Sequence, residues 1–373
     1  MKNTGIVLKK NNKMIGRLVA VGFAGAAFFI AMGWPFFHFI AYAGKKKSKR
    51  RKKSSKKWFS LKHTKINHPK HGFLEEYEAS RAWCEAQLYH EWYIKSRDGF
   101  QLHASYLPAE KPERIVVMCH GYKGTRFGSA GHMAKFLHEN NCSLLMIDQR
   151  CCGESEGKYI TFGAKEQYDI IDWLRRLEEE NVSKLPVYLY GQSMGAASVI
   201  LASGHISGCT GLKRNTKCRE RISRGEEEYT EDVSSLGNNE ETGVYGNVKG
   251  VIADCGYHSM KQQLRDIASG WFHLHWIELL LMRVDLFCRI FAGFSMKETD
   301  TTKALKNSRL PMLFFHGEED TYVFPENSRR NYKLCASEKE LVMIPGARHL
   351  CCSYADPELY ARKLMSFFRK NES

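Results

Sequence analysis

The sequence predicts an α/β fold in which a mostly parallel, eight-stranded sheet carries helices on both faces. Three observations predict it. Short apolar runs without polar alternation recur along the chain, as strands buried on both faces require. Segments with helical spacing separate these runs, giving a βαβα rhythm. One of the runs leads through a Gly-x-Ser-x-Gly turn directly into a helix-forming segment, at Gly191 to Gly195.

The 373 residues give room for one large domain, and 43% hydrophobic composition supplies its core. The formal charge of +15 is concentrated at one end: residues 1–60 hold 15 Lys and Arg and no Asp or Glu. The remaining 313 residues balance 41 basic against 41 acidic side chains. A body without net charge has no overall field to attract nucleic acid, so no nucleic-acid partner is expected.

Residues 1–17 form a basic tail. Residues 18–43 follow, an apolar stretch free of Asp, Glu, Lys and Arg. Ala41-Tyr42-Ala43 resembles a signal-peptidase site, but the stretch exceeds the roughly 7–15 residues of a signal core. It is expected to be a transmembrane anchor, since about 20 apolar residues suffice to cross a bilayer. Pro35 and His38 would kink or polarise its second half without preventing insertion. Five basic residues precede this stretch and ten follow it, between Lys45 and Lys57. The excess of positive charge after the span places the body in the cytoplasm of a single-pass cell-membrane protein. Residues 44–72 form a polybasic linker suited to anionic lipid headgroups.

The body is 73–373. Phe73, Tyr77, Cys84 and Leu88 predict an entry helix. Strands are expected at 91–95 and, after the Asp98-Gly99 turn, at 102–107. Further strands follow at 114–119, 143–147, 186–190, 248–253, 311–315 and 340–344. Helices are expected at 130–139, 164–180 and 195–203. Residues 206–247 are polar and nearly free of large aliphatics, so they read as a disordered insertion. Within 258–298, expected to be a helical cap, residues 271–294 read as one helix buried nearly all round. Its Trp271, Trp276 and Phe287 are candidates for an apolar acyl pocket.

The chemistry centres on Ser193. Gly191 and Gly195 flank it two residues away on either side, where larger side chains would clash in a tight elbow. An oxyanion would find one N–H at Met194, at the helix N-terminus. A second donor is expected from the turn after strand 114–119, in His120-Gly121-Tyr122-Lys123-Gly124, with Tyr122 as the candidate. A serine nucleophile needs a base and the base an acid, in the chain order serine, acid, histidine. His349 follows the final strand. Asp320 follows the strand before it, with Glu318 and Glu319 as neighbours in the same loop and Asp254 as a reserve acid. His258, His273 and His275 fit helical polar positions better than a base. The adjacent pairs Cys151-Cys152 and Cys351-Cys352 lack zinc spacing and read as small buried side chains. No metal or cofactor is expected.

These motifs, with Asp148-Gln149-Arg150-Cys151-Cys152-Gly153 after the fourth strand, resemble the α/β-hydrolases from about Trp92 to Phe368. The resemblance is to their membrane-anchored bacterial branch, related to monoacylglycerol lipases and serine aminopeptidases. It implies nucleophile, acid and base at Ser193, Asp320 and His349, with oxyanion donors at Tyr122 and Met194. Cys151 departs from it, standing where the family usually has the first glycine of this loop. The implied activity is hydrolysis of a small-molecule acyl ester, lipid esters included. A peptidase or amidase of the same mechanism and a non-catalytic scaffold are the alternatives.

Overall fold

The first two strands show how local geometry sets the sheet's direction. β1 (His90–Lys95) and β2 (Gln101–Leu107) are joined by a hairpin whose Gly99 has a φ of +86°, and they pair antiparallel. So short a connection permits no parallel pairing. In the computed structural model, which describes residues 33–44, 72–128, 131–180, 184–206, 247–273 and 277–372, β2 also lies antiparallel to β4 (Cys142–Asp148). The remaining strands are β3 (Arg114–Cys119), β5 (Val187–Gln192), β6 (Val248–Asp254), β7 (Met312–Gly317) and β8 (Lys339–Ile344). They run parallel with β4 in the order β1-β2-β4-β3-β5-β6-β7-β8. The sheet is therefore mixed, which corrects the mostly parallel expectation.

Successive side chains of each strand point to opposite faces. Ile115 and Val117 of β3 join Leu189 of β5 and Phe314 of β7 on one face. There they meet Trp173 of α4 (Glu166–Glu180) and Val199 of α5 (Met194–Ile206). Val116, Met118, Tyr190 and Phe315 cover the other face. They pack on α3 (Gly131–Glu139) and α11 (Pro357–Glu372), through Leu137, Tyr360 and Phe368. The entry helix, α2 (Leu74–Glu85), lies against α3.

A third apolar layer forms beyond the C-terminal ends of the strands, and here two expectations fail. Trp34–Ala41, the end of the expected anchor, is a separate helix, α1, lying on the body. Gly33 precedes it and Pro35 sits in its first turn, where a missing N–H costs nothing. Phe37 and Ala41 are fully buried, worth roughly 2–3 kcal/mol for the phenyl ring. Backbone bonds from Ala43 N to Lys158 O (3.1 Å) and from Ile160 N to Ala41 O (2.8 Å) fasten its end. Among the described residues no helix is long and apolar enough to cross a membrane; residues 18–32 lie outside them.

The cap is likewise not one helix over 271–294. α6 (Met260–Phe272) ends at His273 in left-handed conformation (φ +53°). α7 (Glu278–Phe287) then continues into a π-helical turn, Cys288–Ala292. Nor is it buried all round. Leu281, Val284 and Phe287 enter the third layer, while Leu279, Met282 and Ile290 are exposed. The chain returns through a 3-10 turn (Met296–Thr299), α8 (Thr302–Asn307) and, after β7, α9 (Glu326–Leu334). α10 (Cys352–Ala355) leads into α11. Residues 207–246, almost the whole expected insertion, lie outside the described residues.

The loop after β4 is tied to a buried carboxylate. Asp148 lies 3.0 Å from His103 Nδ1, accepts from Glu154 N at 2.9 Å and pairs with Arg126. Cys151 adopts φ +67° there, a conformation that costs a residue with a Cβ roughly 1–2 kcal/mol. Gly153 (φ +52°) is different in kind, because a Cβ on it would run into the Asp148 carboxylate. Gly346 also has positive φ (+69°) but open space around it. Gly346→Ala should therefore cost about 1–2 kcal/mol in urea unfolding, the backbone term alone. Gly153→Ala should cost clearly more; equal losses would show that the Asp148 contact does not matter.

Candidate active site

Ser193 stands on a turn that only small neighbours permit. Its φ is +53°, strained for a residue with a Cβ, and its N–H is held by Asp254 O at 2.8 Å. A Cβ at Gly191 would collide with the Gly195 backbone, and one at Gly195 with the backbone of Cys119 and His120. The two glycines thus let β5, α5 and the end of β3 approach closely enough to lift the serine hydroxyl out of the turn.

His349, in the loop after β8, places Nε2 3.0 Å from Ser193 Oγ and Nδ1 2.7 Å from Asp320 Oδ2. Asp320 is held from its other side: its Oδ1 accepts from the N–H groups of Tyr322 and Val323, both at 2.9 Å. That leaves Oδ2 for the imidazole. With Nδ1–H donating to the carboxylate, Nε2 is the acceptor facing the serine hydroxyl. All three side chains are nearly buried. Burial by itself would push the Asp320 carboxyl upward, but the His349 and His316 rings outweigh it and hold it well below the usual carboxylate range. The structure thus brings together the three residues expected from sequence. Glu318 and Glu319 face solvent. Asp254 lies beneath the turn, where its Oδ2 accepts from Tyr360 Oη at 3.1 Å. Its carboxyl is raised by burial, and its described side-chain hydrogen bonds run to Tyr360 and Gln192 rather than to His349.

The Tyr122 turn also lies at the serine: a Cβ on Gly121 would be 3.3 Å from Ser193 Cβ. Met194 begins α5, so its N–H belongs to the unpaired first turn of the helix. Among the described residues no hydrogen bond occupies the N–H of Tyr122 or Met194. Of the expected pocket residues, Phe287 is buried in the third apolar layer with Met194. Trp271 is half-buried; its indole donates to Thr321 O at 3.0 Å, and its ring packs on Tyr322, which in turn packs on His349. Trp276 and His275 lie outside the described residues. His258 is buried and bound to Asn331, and His273 is an exposed helix end.

Two positioning residues were not singled out in the sequence. His120 Nε2 accepts from Gln149 N at 3.1 Å, so the proton on Nδ1 donates to Gly121 O at 2.7 Å and fixes the Tyr122 turn. His316, fully buried, donates from Nε2 to Val323 O at 2.8 Å and lies 3.3 Å from Asp320 Oδ2. Its position at the end of β7, four residues before Asp320, was the available signal. Among the described residues two groups offer donor atoms within 4.8 Å of one another: Asp254, Cys255 and Cys352, and Cys255, His316 and Asp320. Burial pushes the Cys255 thiol up to about 12, so a metal there would have to displace a proton. Ten described cysteines, both adjacent pairs included, are buried and outside any disulfide.

A model of the serine aminopeptidase S33 family matches residues 110–211 and 280–353. Among curated proteins, YqkD of Bacillus subtilis is 21% identical over 274 residues, 74% of this chain and 77% of that protein. YfhR of Salmonella typhi is 25% identical over 260 residues, 68% of this chain and 72% of its own. The fold is shared with the Pyrococcus furiosus esterase Pf2001 at a TM-score of 0.54 and 17% identity, over 77% of this chain and 94% of that one. It is also shared with the α/β hydrolase GrgF from Penicillium sp., at 0.51 and 15%, over 76% and 99%.

The lowered pKa of Asp320 carries a sign. A carboxylate depressed in the folded state stabilises the fold above its unfolded pKa, near 4, and that stability is lost as pH falls through the folded value. The stability gap between the wild type and Asp320→Asn should therefore be widest at pH 7 and narrow by pH 3 in urea titrations. A gap that does not change with pH would show that the charge of Asp320 adds nothing.

Proposed function

We propose that this chain, which has the α/β-hydrolase fold, is a serine hydrolase cleaving carboxylic esters with an apolar acyl group. The observation that carries the proposal is the chain of hydrogen bonds from Asp320 through His349 to Ser193, on a strained turn packed against the Gly121-Tyr122 turn. Ser193 Oγ attacks the ester carbonyl while His349 Nε2 takes its proton. The oxyanion receives the Met194 and Tyr122 N–H groups. As the tetrahedral species collapses, His349 returns the proton to the departing alcohol and leaves an acyl-serine. Water, deprotonated by the same imidazole, then releases the acid and restores the serine. Asp320 holds the imidazole tautomer and balances its transient charge. The apolar layer beside Met194 favours an acyl chain as the bound group. The match to the S33 peptidase model supports a second reading, amide cleavage by the same steps.

Ser193→Ala should abolish labelling by a fluorophosphonate probe and lower kcat on p-nitrophenyl esters by about 10³-fold or more. His349→Ala should cost about as much, and Asp320→Asn orders of magnitude through the wrong tautomer. Glu319→Gln should leave the rate nearly unchanged. Full turnover by Ser193→Ala would overturn Ser193 as the nucleophile, and a wild type that neither turns over nor takes the probe would leave a non-catalytic scaffold as the reading. Faster turnover of aminoacyl anilides than of esters would favour the peptidase.

We further propose that the chain is attached to the cell membrane through residues 18–33, with its body in the cytoplasm. With α1 on the body, sixteen apolar residues remain of the original stretch. As a helix they would reach about 24 Å, short of the roughly 30 Å hydrocarbon core, so the body must sit tight against the headgroups. A C-terminal alkaline phosphatase fusion expressed in a bacterial host should be inactive, and a fluorescent-protein fusion bright. The reverse pattern would place the body outside.

A further inference from the structure

We infer that the outer face shared by α1, α7 and the π-helical turn is a docking surface for an anionic lipid bilayer. The inference rests on the membrane attachment proposed above. The two helices bury their inner sides in one apolar layer, so their outer sides face away from the body together. What they present there is largely apolar, with the ion pair of Asp285 and Arg289 at its margin. On α1, Trp34, Phe36 and Phe39 are exposed by 37%, 46% and 61%; on α7 and the turn, Leu279, Met282 and Ile290 by 59%, 65% and 62%. Spaced three, then eight residues apart, the last three follow one stripe of the helix. The Trp34 ring meets the edge of Phe291 at 4.7 Å, which joins the two elements into one patch. Contiguous exposed apolar area of this kind marks an interaction site rather than ordinary surface.

The flanking sequence identifies the partner. The apolar residues 18–32 enter the patch at Gly33, directly before α1. Ten Lys and Arg between Lys45 and Lys57 leave it after Gly44, a point fixed by the Ala43 bond to Lys158 O. An apolar face bracketed by an apolar run and a cationic run fits hydrocarbon below anionic headgroups. A second copy of the chain fits it badly, because pairing this face with itself would bring two such cationic runs together.

The patch also roofs the site. Tyr122 Oη donates to Ile40 O at 2.6 Å, and Lys123 Nζ to Phe39 O at 3.2 Å. Docking would thus set the Tyr122 turn beside the source of an apolar ester.

The test uses the full chain in vesicles of phosphatidylcholine and phosphatidylglycerol, with a reporter on α7, distant in sequence from residues 18–33. Met282→Trp should add emission that brominated phospholipid quenches and aqueous iodide does not. Glu179→Trp, exposed in the last turn of α4 and outside the third layer, should behave in reverse. Omitting phosphatidylglycerol should reduce the lipid quenching of Met282→Trp at least twofold. If the chain floats with vesicles but iodide quenches both reporters alike, docking is wrong and attachment stands. If both quenchers miss Met282→Trp, residues 18–32 or a second copy covers the face, and docking is again wrong. If the chain does not float, the attachment itself fails. None of these readings depends on hydrolytic activity.

Discussion

The reversal of the chain at Ser193 governs the rest of the molecule. Its left-handed backbone is tolerable only because Gly191 and Gly195 let β5, α5 and the end of β3 close around it. Once the serine is raised at that spot, the imidazole that meets it has to arrive from above the same strand ends. The parallel order β5-β6-β7-β8 delivers it, since β7 and β8 end side by side and release Asp320 and His349 into adjacent loops. The sheet thereby brings Ser193 into one hydrogen-bonded row with a histidine 156 positions further along the chain.

Rigidity is arranged in a second ring of contacts. Asp320 has one oxygen fixed by two backbone N–H groups, so its other oxygen has no freedom to turn away from His349. His316 braces the same carboxylate from behind, and His120 braces the turn of Tyr122. Such supports cost little chain length, yet they hold reacting groups to the tolerances that catalysis requires.

Much of this was legible in the sequence, for physical reasons that differ by element. Strands such as Arg114–Cys119 stand out because burial on both faces removes polar alternation. Ser193 stands out because a strained turn restricts its neighbours to glycine. Asp320 could be preferred to Glu318 and Glu319 only on loop length, and its contacts became visible once the loop was folded. The braces at His316 and His120 depend on partners distant in sequence, so no local pattern announces them. The apolar residues 18–43 misled in a specific way. Hydrophobicity counts how much surface must leave water, not whether lipid or protein takes it. The end signals of Gly33 and Pro35 were hidden inside an uninterrupted run. The same ambiguity concealed the exposed stripe of α7, where apolar residues on the outside look like those on the inside.

The seating of α1 bears on how this protein can be handled in the laboratory. A chain that opens on a long apolar stretch is commonly trimmed behind it, and here that cut would fall in the lysine-rich stretch. That cut would discard Phe37, Ile40 and Ala41, which fill the layer over the cap, together with the carbonyl that holds Tyr122. The fragment would then carry a greasy trench beside its Tyr122 turn. Poor solubility or a feeble rate in such a preparation would describe the truncation and not the enzyme. A cut before Gly33 keeps the interior whole.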